Sequence, residues 1–292
     1  MISKDILNRV RQIEIRTTSI VDSILSGEYH SAFKGRGMEF SEVRTYTEGD
    51  DIRAIDWNVT ARMGEPYVKK FIEERELTVM LVVDASASGD FASTNKFKSE
   101  IAVELCALLA FSAIKNNDRV GLIIFTSEIE KFIPPKKGRN HVLRVIRELL
   151  YFRPQKRKTD IAEALSFLNR VQKKKAVVFL VSDFLGSGFQ APLRVAARRH
   201  DCIAVRITDP REACLPPGGL VEMEDPETGE TMVVDTASAR VRASFESAAA
   251  SLDAGIKSFF RATGIDLIPI STGQDYVDPL VRFFKKREKL MA

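Results

Sequence analysis

Three short, almost continuous apolar runs constrain the fold of this chain most, at residues 77–83, 120–125 and 176–181. Runs of this length and composition are typical of strands that are buried on both faces of a parallel sheet. Apolar residues at helical spacing separate the first two runs over 96–115, beginning with Phe97. Strands that alternate with helices indicate βαβ units, whose right-handed crossovers put helices on both faces of the sheet. The sequence therefore predicts a doubly wound, mostly parallel α/β domain.

The predicted domain covers residues 77–292 and contains further elements of both kinds. A short segment at 129–133 closely follows the second run, so we expect it to form an antiparallel partner strand at the sheet edge. The turn-forming sequence at 225–229 lies between two short apolar segments and predicts a hairpin insertion near 219–235. The other predicted elements are helices at 140–151, 159–171, 191–199, 239–263 and 276–290, and strands at 202–207 and 265–270.

Residues 1–76 form a separate N-terminal segment in this prediction. Residues 4–26 carry a helical apolar stripe that Gly27 would end. Residues 30–76 are predicted to be irregular β-structure, because short alternating pieces are interrupted by turn-forming residues.

Composition and charge disfavour several classes of function. Lys and Arg number 44 against 40 Asp and Glu, and this small excess disfavours a nucleic-acid binder. The three cysteines, Cys106, Cys202 and Cys214, show no disulfide or zinc spacing and indicate reduced thiols in a cytosolic protein. The N-terminus is too charged for a signal peptide, and no apolar run reaches the roughly 18 residues of a membrane helix. We therefore expect a cytoplasmic protein without a membrane span.

Five oxygen-bearing side chains stand where the predicted fold would bring them together. Asp84, Ser86 and Ser88 come directly after the first apolar run, and Asp183 comes shortly after the third. Thr159 opens the helix that leads into that third run. In open α/β sheets, ligands bind outside the carboxyl ends of the strands, where the strand order reverses. If the first and third runs are neighbouring strands at that point, the five side chains converge on one crevice.

The chemistry of these side chains matches a hard divalent cation. Mg²⁺ prefers octahedral oxygen coordination at about 2.0–2.1 Å and keeps several waters. Two carboxylates and three hydroxyls supply only oxygen, which suits Mg²⁺, with Mn²⁺ and Ca²⁺ as alternatives, and does not suit zinc or copper. With few anionic ligands the metal stays electrophilic, so it could accept a carboxylate from another chain. A structural alternative remains, because Ser and Asp also favour turns and N-caps, and Thr159 could cap its helix.

The order Asp84-x-Ser86-x-Ser88, then Thr159, then Asp183 resembles the metal-ion-dependent adhesion site of von Willebrand factor type A domains. The resemblance covers about two-thirds of the chain. It implies a von Willebrand factor type A-like fold with one Mg²⁺ at this site. It also implies a protein–protein interaction module that docks a partner carboxylate on the metal and is not an enzyme.

The N-terminal segment contains the motifs Gly35-Arg36-Gly37-Met38-Glu39-Phe40, Arg44-Thr45-Tyr46, Gly49-Asp50-Asp51-Ile52-Arg53 and Ile55-Asp56-Trp57. Together they resemble the signature of a bacterial family, domain of unknown function fifty-eight (DUF58). Members of that family carry a type A domain after this segment and are often encoded beside a MoxR-type AAA+ ATPase. The resemblance implies an adaptor or cochaperone for such an ATPase and a client protein, and it leaves association with membrane proteins open.

Six residues of these motifs are candidates for partner contacts: Arg36, Arg44, Asp50, Arg53, Asp56 and Trp57. For Asp50, Arg53, Asp56 and Trp57, a structural role is favoured over a partner-binding surface. Trp57, the single tryptophan, would anchor the segment on the core, and Asp56 would pair with Arg53.

An enzyme is the main alternative function. A Mg²⁺-dependent phosphohydrolase of the haloacid-dehalogenase type also places an aspartate nucleophile after its first strand and a metal-binding aspartate after a later one. That class has a second aspartate two residues after the first, acting as acid and base, and here the position holds Ser86. The phosphate-binding sequence of P-loop ATPases does not occur in the chain.

Overall fold

The computed structural model describes residues 4–21, 26–33, 39–72 and 76–291. The chain divides into two compact units, a large one of Met1–Ala32 with Leu77–Ala292 and a small one of Phe33–Glu76. The prediction of a single N-terminal segment over residues 1–76 differs from this division. The first 32 residues instead group with the large unit, because the helices they contain pack on that unit.

The elements follow one another along the chain in a largely alternating order. The helices are α1 (Lys4–Ile20), α2 (Ser26–Phe33), α3 (Trp57–Met63), α4 (Lys98–Lys115), α5 (Arg139–Leu150), α6 (Ile161–Val171), α7 (Gln190–Arg199), α8 (Pro210–Ala213), α9 (Ala239–Thr263) and α10 (Val277–Met291). The strands are β1 (Glu39–Thr45), β2 (Tyr67–Ile72), β3 (Thr78–Asp84), β4 (Arg119–Phe125), β5 (Ile129–Lys136), β6 (Val177–Ser182), β7 (Asp201–Thr208), β8 (Leu220–Glu224), β9 (Thr231–Asp235) and β10 (Asp266–Ser271).

The central sheet of the large unit has the strand order β10-β7-β6-β3-β4-β5. Its strands pair in parallel except for β5, which runs antiparallel to β4 at one edge, as the sequence predicts. From β3 the chain proceeds to β4 on one side, whereas β6, β7 and β10 extend the sheet on the other side. The strand order therefore reverses between β3 and β6, and the predicted doubly wound, mostly parallel sheet is confirmed.

Helices cover both faces of this sheet. On one face, α6, α7 and α9 enclose an apolar cluster with the sheet, to which Val82, Leu180, Phe184 and Phe260 belong. On the other face, α4 packs on β3 and β4 and is flanked by α1 and α5. The five central residues of β3 and all six of β6 are buried, as expected of strands covered on both faces.

The buried face of α4 begins with a lysine. Phe97, the first residue of the predicted apolar stripe, is 47% exposed. Lys98, three residues before the buried Ile101, is only 3% exposed and occupies that place instead. A lysine at such a position requires a buried anionic partner.

The N-terminal helices differ from the predicted single helix over 4–26. Helix α1 ends at Ile20 and a second helix, α2, begins at Ser26, so Gly27 lies inside a helix rather than ending one. In α2, the hydroxyl of the buried Tyr29 donates to Asp118 Oδ2 at 3.2 Å, and its ring meets Phe284 edge-on at 5.8 Å. These contacts join α2 to the large unit.

The small unit is an antiparallel pair of β1 and β2 with α3 between them. Asp56 caps α3 by accepting from Asn58 N and Val59 N at 3.0 and 3.2 Å, and it pairs with Lys69 at 3.4 Å. The expected pair of Asp56 with Arg53 is therefore wrong. Trp57 is 66% exposed, so it is not buried within the small unit.

The β8–β9 hairpin lies where the sequence predicts an insertion, with Leu220 opposite Asp235 and Glu224 opposite Thr231. Among the described residues, no helix is long and apolar enough to cross a membrane.

Gly121 in β4 offers a test of the packing between β3 and β5. A methyl group at this position would lie 2.6 Å from Met80 Sδ and 3.1 Å from the backbone nitrogen of Pro135. We expect Gly121→Ala to lower the free energy of unfolding by about 1–3 kcal/mol, because the core must shift to admit it. Urea denaturation measures this change.

Gly186→Ala is the matched control, since nothing lies within 4 Å of its added methyl group and its φ is not in the left-handed region. We expect a change within about 0.5 kcal/mol there. Equal stabilities of the two variants would contradict the packing described for β4.

Candidate metal centre

Asp84 is the last residue of β3 and lies at the strand-order reversal. Because Val83 is in register with Val181, the next residues of the two strands, Asp84 and Ser182, are adjacent. Ser182 Oγ donates to Asp84 Oδ2 at 2.8 Å, and Ser86 N donates to Oδ1 at 3.0 Å. The carboxylate is thus held by both strands at the carboxyl edge of the sheet.

Ser86 and Ser88 lie in a short 3-10 turn that follows β3. Ser86 occupies the N-cap position of the turn, yet its side chain makes no capping hydrogen bond. Its hydroxyl oxygen instead lies 3.1 Å from that of Ser88. The two hydroxyls therefore face one another, and capping does not account for the Ser86 side chain.

Thr159 precedes α6 but does not cap it. The cap is Asp160, whose Oδ1 accepts from Glu163 N at 2.9 Å. Thr159 Oγ1 lies 3.5 Å from Asp84 Oδ1 and donates to Glu227 Oε1 at 2.8 Å. The structure thus places the threonine hydroxyl near Asp84. Asp160, and not Thr159, caps α6.

Asp183 follows β6 and is buried. Its Oδ1 accepts from Leu185 N at 3.1 Å, and its Oδ2 accepts from Lys98 Nζ at 2.9 Å. The same ammonium donates to Glu212 Oε1 at 2.5 Å. A cavity of about 30 Å³ beside these groups is lined by Asp84, Ser88, Lys98 and Asp183, among others. It has room for one water-sized species.

The residue after Asp183 adopts a backbone conformation that non-glycine residues rarely take. Phe184 has a φ of 59°, in the left-handed region. Its buried ring packs on Phe189 and Phe260 with ring centroids 5.4 and 5.3 Å away. This apolar packing offsets the strain, and the turn places Asp183 at the sheet edge.

The electrostatics of the centre leave negative charge in excess. Burial and the nearby Asp183 carboxylate raise the pKa of Asp84 to about 6, against the opposing hydrogen bonds from Ser86 and Ser182. Burial lowers the pKa of Lys98, but Asp183 and Glu212 raise it by more, so the lysine stays cationic. One ammonium therefore faces three carboxylates, and a further cation would reduce the repulsion.

The donor set fits a hard divalent cation. The residues that could hold it are Asp84, Ser86, Ser88, Thr159 and Asp183, and all of them offer oxygen. In the part of the chain that the structure describes, no group of three or more His, Cys, Asp or Glu side chains is placed to hold a metal ion. The candidate centre therefore depends on its hydroxyls, which hard cations accept and zinc or copper does not favour.

Asp209, at the end of β7, supports the loop that carries the two serines. It accepts from Ser93 N at 2.9 Å, from the Ser93 hydroxyl, and from Thr272 Oγ1 at 2.7 Å. Burial raises the pKa of Asp209, but these hydrogen bonds lower it by more, so the carboxyl remains ionised. The loop after β3 is thus tied to the ends of β7 and β10.

Four polar residues of this region were not among the predicted site residues: Lys98, Ser182, Glu212 and Glu227. The position of Lys98, three residues before Ile101 on the apolar face of α4, was a signal that it is buried. Ser182 directly precedes Asp183, and two polar residues ending a buried strand were a second signal. For Glu212 and Glu227 no local pattern indicated proximity to the site.

The candidate partner residues in the small unit make mostly local contacts. Arg44 donates to both oxygens of Asp50, at 2.8 and 2.7 Å, and the hydrogen bonds from Arg44 and Thr47 hold the pKa of Asp50 well below its usual range. Arg53 and Trp57 are exposed, and Asp56 caps α3. Arg36 lies outside the described residues.

Comparison with known proteins identifies relatives over most of the chain. The family model described as protein of unknown function DUF58 matches residues 42–254. The uncharacterized proteins Rv1480 of Mycobacterium tuberculosis and Mb1516 of Mycobacterium bovis are each 33% identical to this chain over 285 residues. These alignments cover 96% of this chain and 89% of each relative.

Solved structures resemble the large unit in fold. The conserved hypothetical protein BatB from Bacteroides thetaiotaomicron has a TM-score of 0.51 and 17% identity, covering 73% of this chain and 99% of that chain. An aerotolerance-related membrane protein from Bacteroides fragilis has a TM-score of 0.50 and 16% identity, with the same coverage. At these identities the likeness concerns the fold alone. The strand order and the two helix layers are those of a von Willebrand factor type A-like domain, as the sequence predicts.

Lys98 provides a test of the electrostatics of the centre. We expect Lys98→Met to lower the free energy of unfolding by about 3–5 kcal/mol, because Asp183 would lose its buried counterion. Chemical denaturation at neutral pH measures the loss. The control is Lys96→Met, which removes a salt bridge to Glu104 from a more exposed lysine and should cost about 1 kcal/mol or less. Similar losses for both variants would contradict a buried lysine–carboxylate pair.

Proposed function

Because this chain belongs to the DUF58 family, as its N-terminal motifs indicated, we propose that it is a Mg²⁺-dependent protein–protein interaction module. The residues proposed to hold the metal are Asp84, Ser86, Ser88, Thr159 and Asp183. Von Willebrand factor type A-like folds are generally interaction domains, which supports the broader part of this proposal. The choice of Mg²⁺ rests on the chemistry of the donors.

The excess negative charge around Asp84 is the observation that carries the proposal. Asp183 is buried and Asp84 is half-buried, the two carboxylates lie within interaction distance of each other, and Asp183 shares the Lys98 ammonium with Glu212. Ser86 occupies the N-cap position of its turn without capping it, and Thr159 lies one residue before the cap Asp160. Hydroxyl oxygens that do not cap a helix or turn, grouped beside closely spaced carboxylates, favour a cation-binding role.

A metal bound here supplies one electrophilic coordination position at the surface of the sheet edge. Asp84 and Asp183 would provide the negative charge, and the three hydroxyls would complete the shell without neutralising the ion. Such a position favours an acidic side chain of a partner, because charge-assisted contacts to a carboxylate are strong and directional.

We propose no catalytic residue. Ser86 occupies the position two residues after Asp84, where a haloacid-dehalogenase type phosphohydrolase would need an aspartate to transfer a proton. None of the contacts described around Asp84 favours that alternative.

The proposed partners are a MoxR-type AAA+ ATPase and a client protein, for which the chain would act as an adaptor or cochaperone in the cytoplasm. The family resemblance supports this part of the proposal. The small unit is the proposed second contact region, with Arg36, Arg44, Asp50, Arg53, Asp56 and Trp57 as its candidate residues. Trp57 and Ile52 are each 66% exposed, and large exposed apolar side chains are common at interfaces.

Thermal and chemical unfolding test the metal site. A ligand at one hundred times its dissociation constant adds about 2.7 kcal/mol to the free energy of unfolding. We expect saturating Mg²⁺ to stabilise the wild type by an amount of this order and to leave Asp84→Ala unchanged. Asp90→Ala, which removes an exposed carboxylate from the same loop, is the control and should respond like the wild type. Equal stabilisation of Asp84→Ala would exclude this residue as a ligand.

Partner binding tests the docking mechanism. We expect an immobilised MoxR-type ATPase from the same organism to retain the wild-type chain in Mg²⁺ and to release it in EDTA, as measured by biolayer interferometry. Asp84→Ala should bind at least tenfold more weakly, which corresponds to about 1.4 kcal/mol. Binding that is indifferent to both EDTA and the substitution would reject metal-mediated docking to this partner.

A further inference from the structure

We propose that Glu227 is an additional ligand of the metal, so that the chain supplies its own carboxylate at the position that a partner's carboxylate would take. The inference rests on the proposed function, because it presupposes a metal held by Asp84 and Thr159. Glu227 lies in the turn of the β8–β9 hairpin, an element to which no function has been assigned so far.

The contact that carries this inference is a hydrogen bond at the candidate centre. Thr159 Oγ1 donates to Glu227 Oε1 at 2.8 Å, and Thr159 Oγ1 also lies 3.5 Å from Asp84 Oδ1. The carboxylates of Glu227 and Asp84 therefore both lie close to the hydroxyl of one proposed ligand. Since no three carboxylates are grouped around one point in the described residues, Glu227 would share the cation with Asp84 on the Thr159 side of the site, and that cation would offset the repulsion between these two carboxylates.

The turn of the hairpin fixes the backbone around Glu227. Asp225 Oδ1 accepts from Glu227 N at 2.8 Å and from Thr228 N at 3.3 Å. Gly229 follows with a φ of 75°, which closes the turn in a conformation that favours glycine. The acidic side chain is consequently presented from a defined loop rather than from a long flexible segment.

Arg157 joins this hairpin to the serine-bearing turn after β3. Its side chain donates to Pro226 O at 2.8 Å and to Glu224 Oε1 at 3.1 Å, while its backbone carbonyl accepts from Ala87 N at 3.0 Å. Arg157 is two residues from Thr159, so the segment that carries the proposed threonine ligand also positions the hairpin. These contacts connect the tip of the hairpin with the turn that carries the two serines.

The hairpin is attached so that a competing carboxylate could displace its tip. Both strands are largely exposed, with Leu220, Met232 and Val233 at 75%, 64% and 67%. The base is held separately, since Thr236 Oγ1 donates to Gly219 O at 2.8 Å. At the tip, the Arg157–Glu224 pair is exposed and contributes little. Because Glu227 is part of the chain, it would compete with a partner's carboxylate at a high effective concentration. Only a partner that binds the metal more strongly than Glu227 does would displace it.

Calorimetric titration of the whole chain with Mg²⁺ tests the proposal. We expect Glu227→Gln to bind Mg²⁺ roughly tenfold more weakly than the wild type. Glu227→Asp keeps the charge but withdraws the carboxylate, and we expect it to weaken binding as well. Glu230→Gln is the matched control in the same hairpin and should bind like the wild type. Asp84→Ala should abolish binding, and circular dichroism verifies that every variant is folded.

Wild-type affinity in Glu227→Gln, with binding lost in Asp84→Ala, would overturn the role of Glu227 and leave the proposed metal site intact. Weaker binding in Glu227→Gln but not in Glu227→Asp would show a long-range charge effect and would also overturn it. Wild-type affinity in Asp84→Ala would instead refute the proposed site, and this inference with it.

Acetate provides a second readout, because it can replace a missing carboxylate. We expect acetate to tighten Mg²⁺ binding by Glu227→Ala and to have little effect on the wild type, in which Glu227 already fills the position. Sodium chloride at the same ionic strength controls for screening. An equal effect of acetate on both proteins would overturn the proposal.

Discussion

A carboxylate withdrawn from water at the junction of β3 and β6 determines the chemistry of this sheet edge. Asp84 receives hydrogen bonds from Ser182 on the neighbouring strand and from Ser86 in the following turn. These donors do not compensate fully for burial and for the nearby Asp183, and the pKa of Asp84 is raised to about 6. The arrangement is stable because rigid buried strands hold the carboxylate in place, so the cost of burying it is met by packing elsewhere.

Among the described charged groups around Asp84, carboxylates outnumber ammonium groups. Lys98 compensates Asp183 and Glu212 from the buried face of α4, and no hydrogen bond from it to Asp84 is seen in the described region. Glu227 adds further negative charge from the β8–β9 hairpin through Thr159. A site that gathers carboxylates and hydroxyls while leaving charge uncompensated is suited to a cation, and the exposed hairpin adds a carboxylate to it from outside the central sheet.

Local patterns determined much of the architecture before any contact was known. The apolar runs that became β3, β4 and β6 are continuous because both faces of each strand are covered, and this property is visible in sequence. The motif that begins at Asp84 was recognisable because its three residues are adjacent in one turn. The edge strand β5 and the hairpin near 219–235 were also predictable, since turn-forming residues bound each of them.

Tertiary structure alone decided the contacts that depend on residues far apart in the chain. Whether Thr159 or Asp160 caps α6 is a difference of one residue, which propensity does not resolve and the backbone geometry does. Glu227 shows no local signal in sequence, yet its carboxylate accepts a hydrogen bond from Thr159, 68 residues away. Trp57 is exposed although tryptophan is usually largely buried, so its residue type did not determine its exposure. The sequence by itself therefore determined the sheet, its helices and the serine-bearing turn, because periodicity and turn chemistry are local. The surroundings of that turn were decided by packing, because burial and charge pairing depend on which distant segments meet.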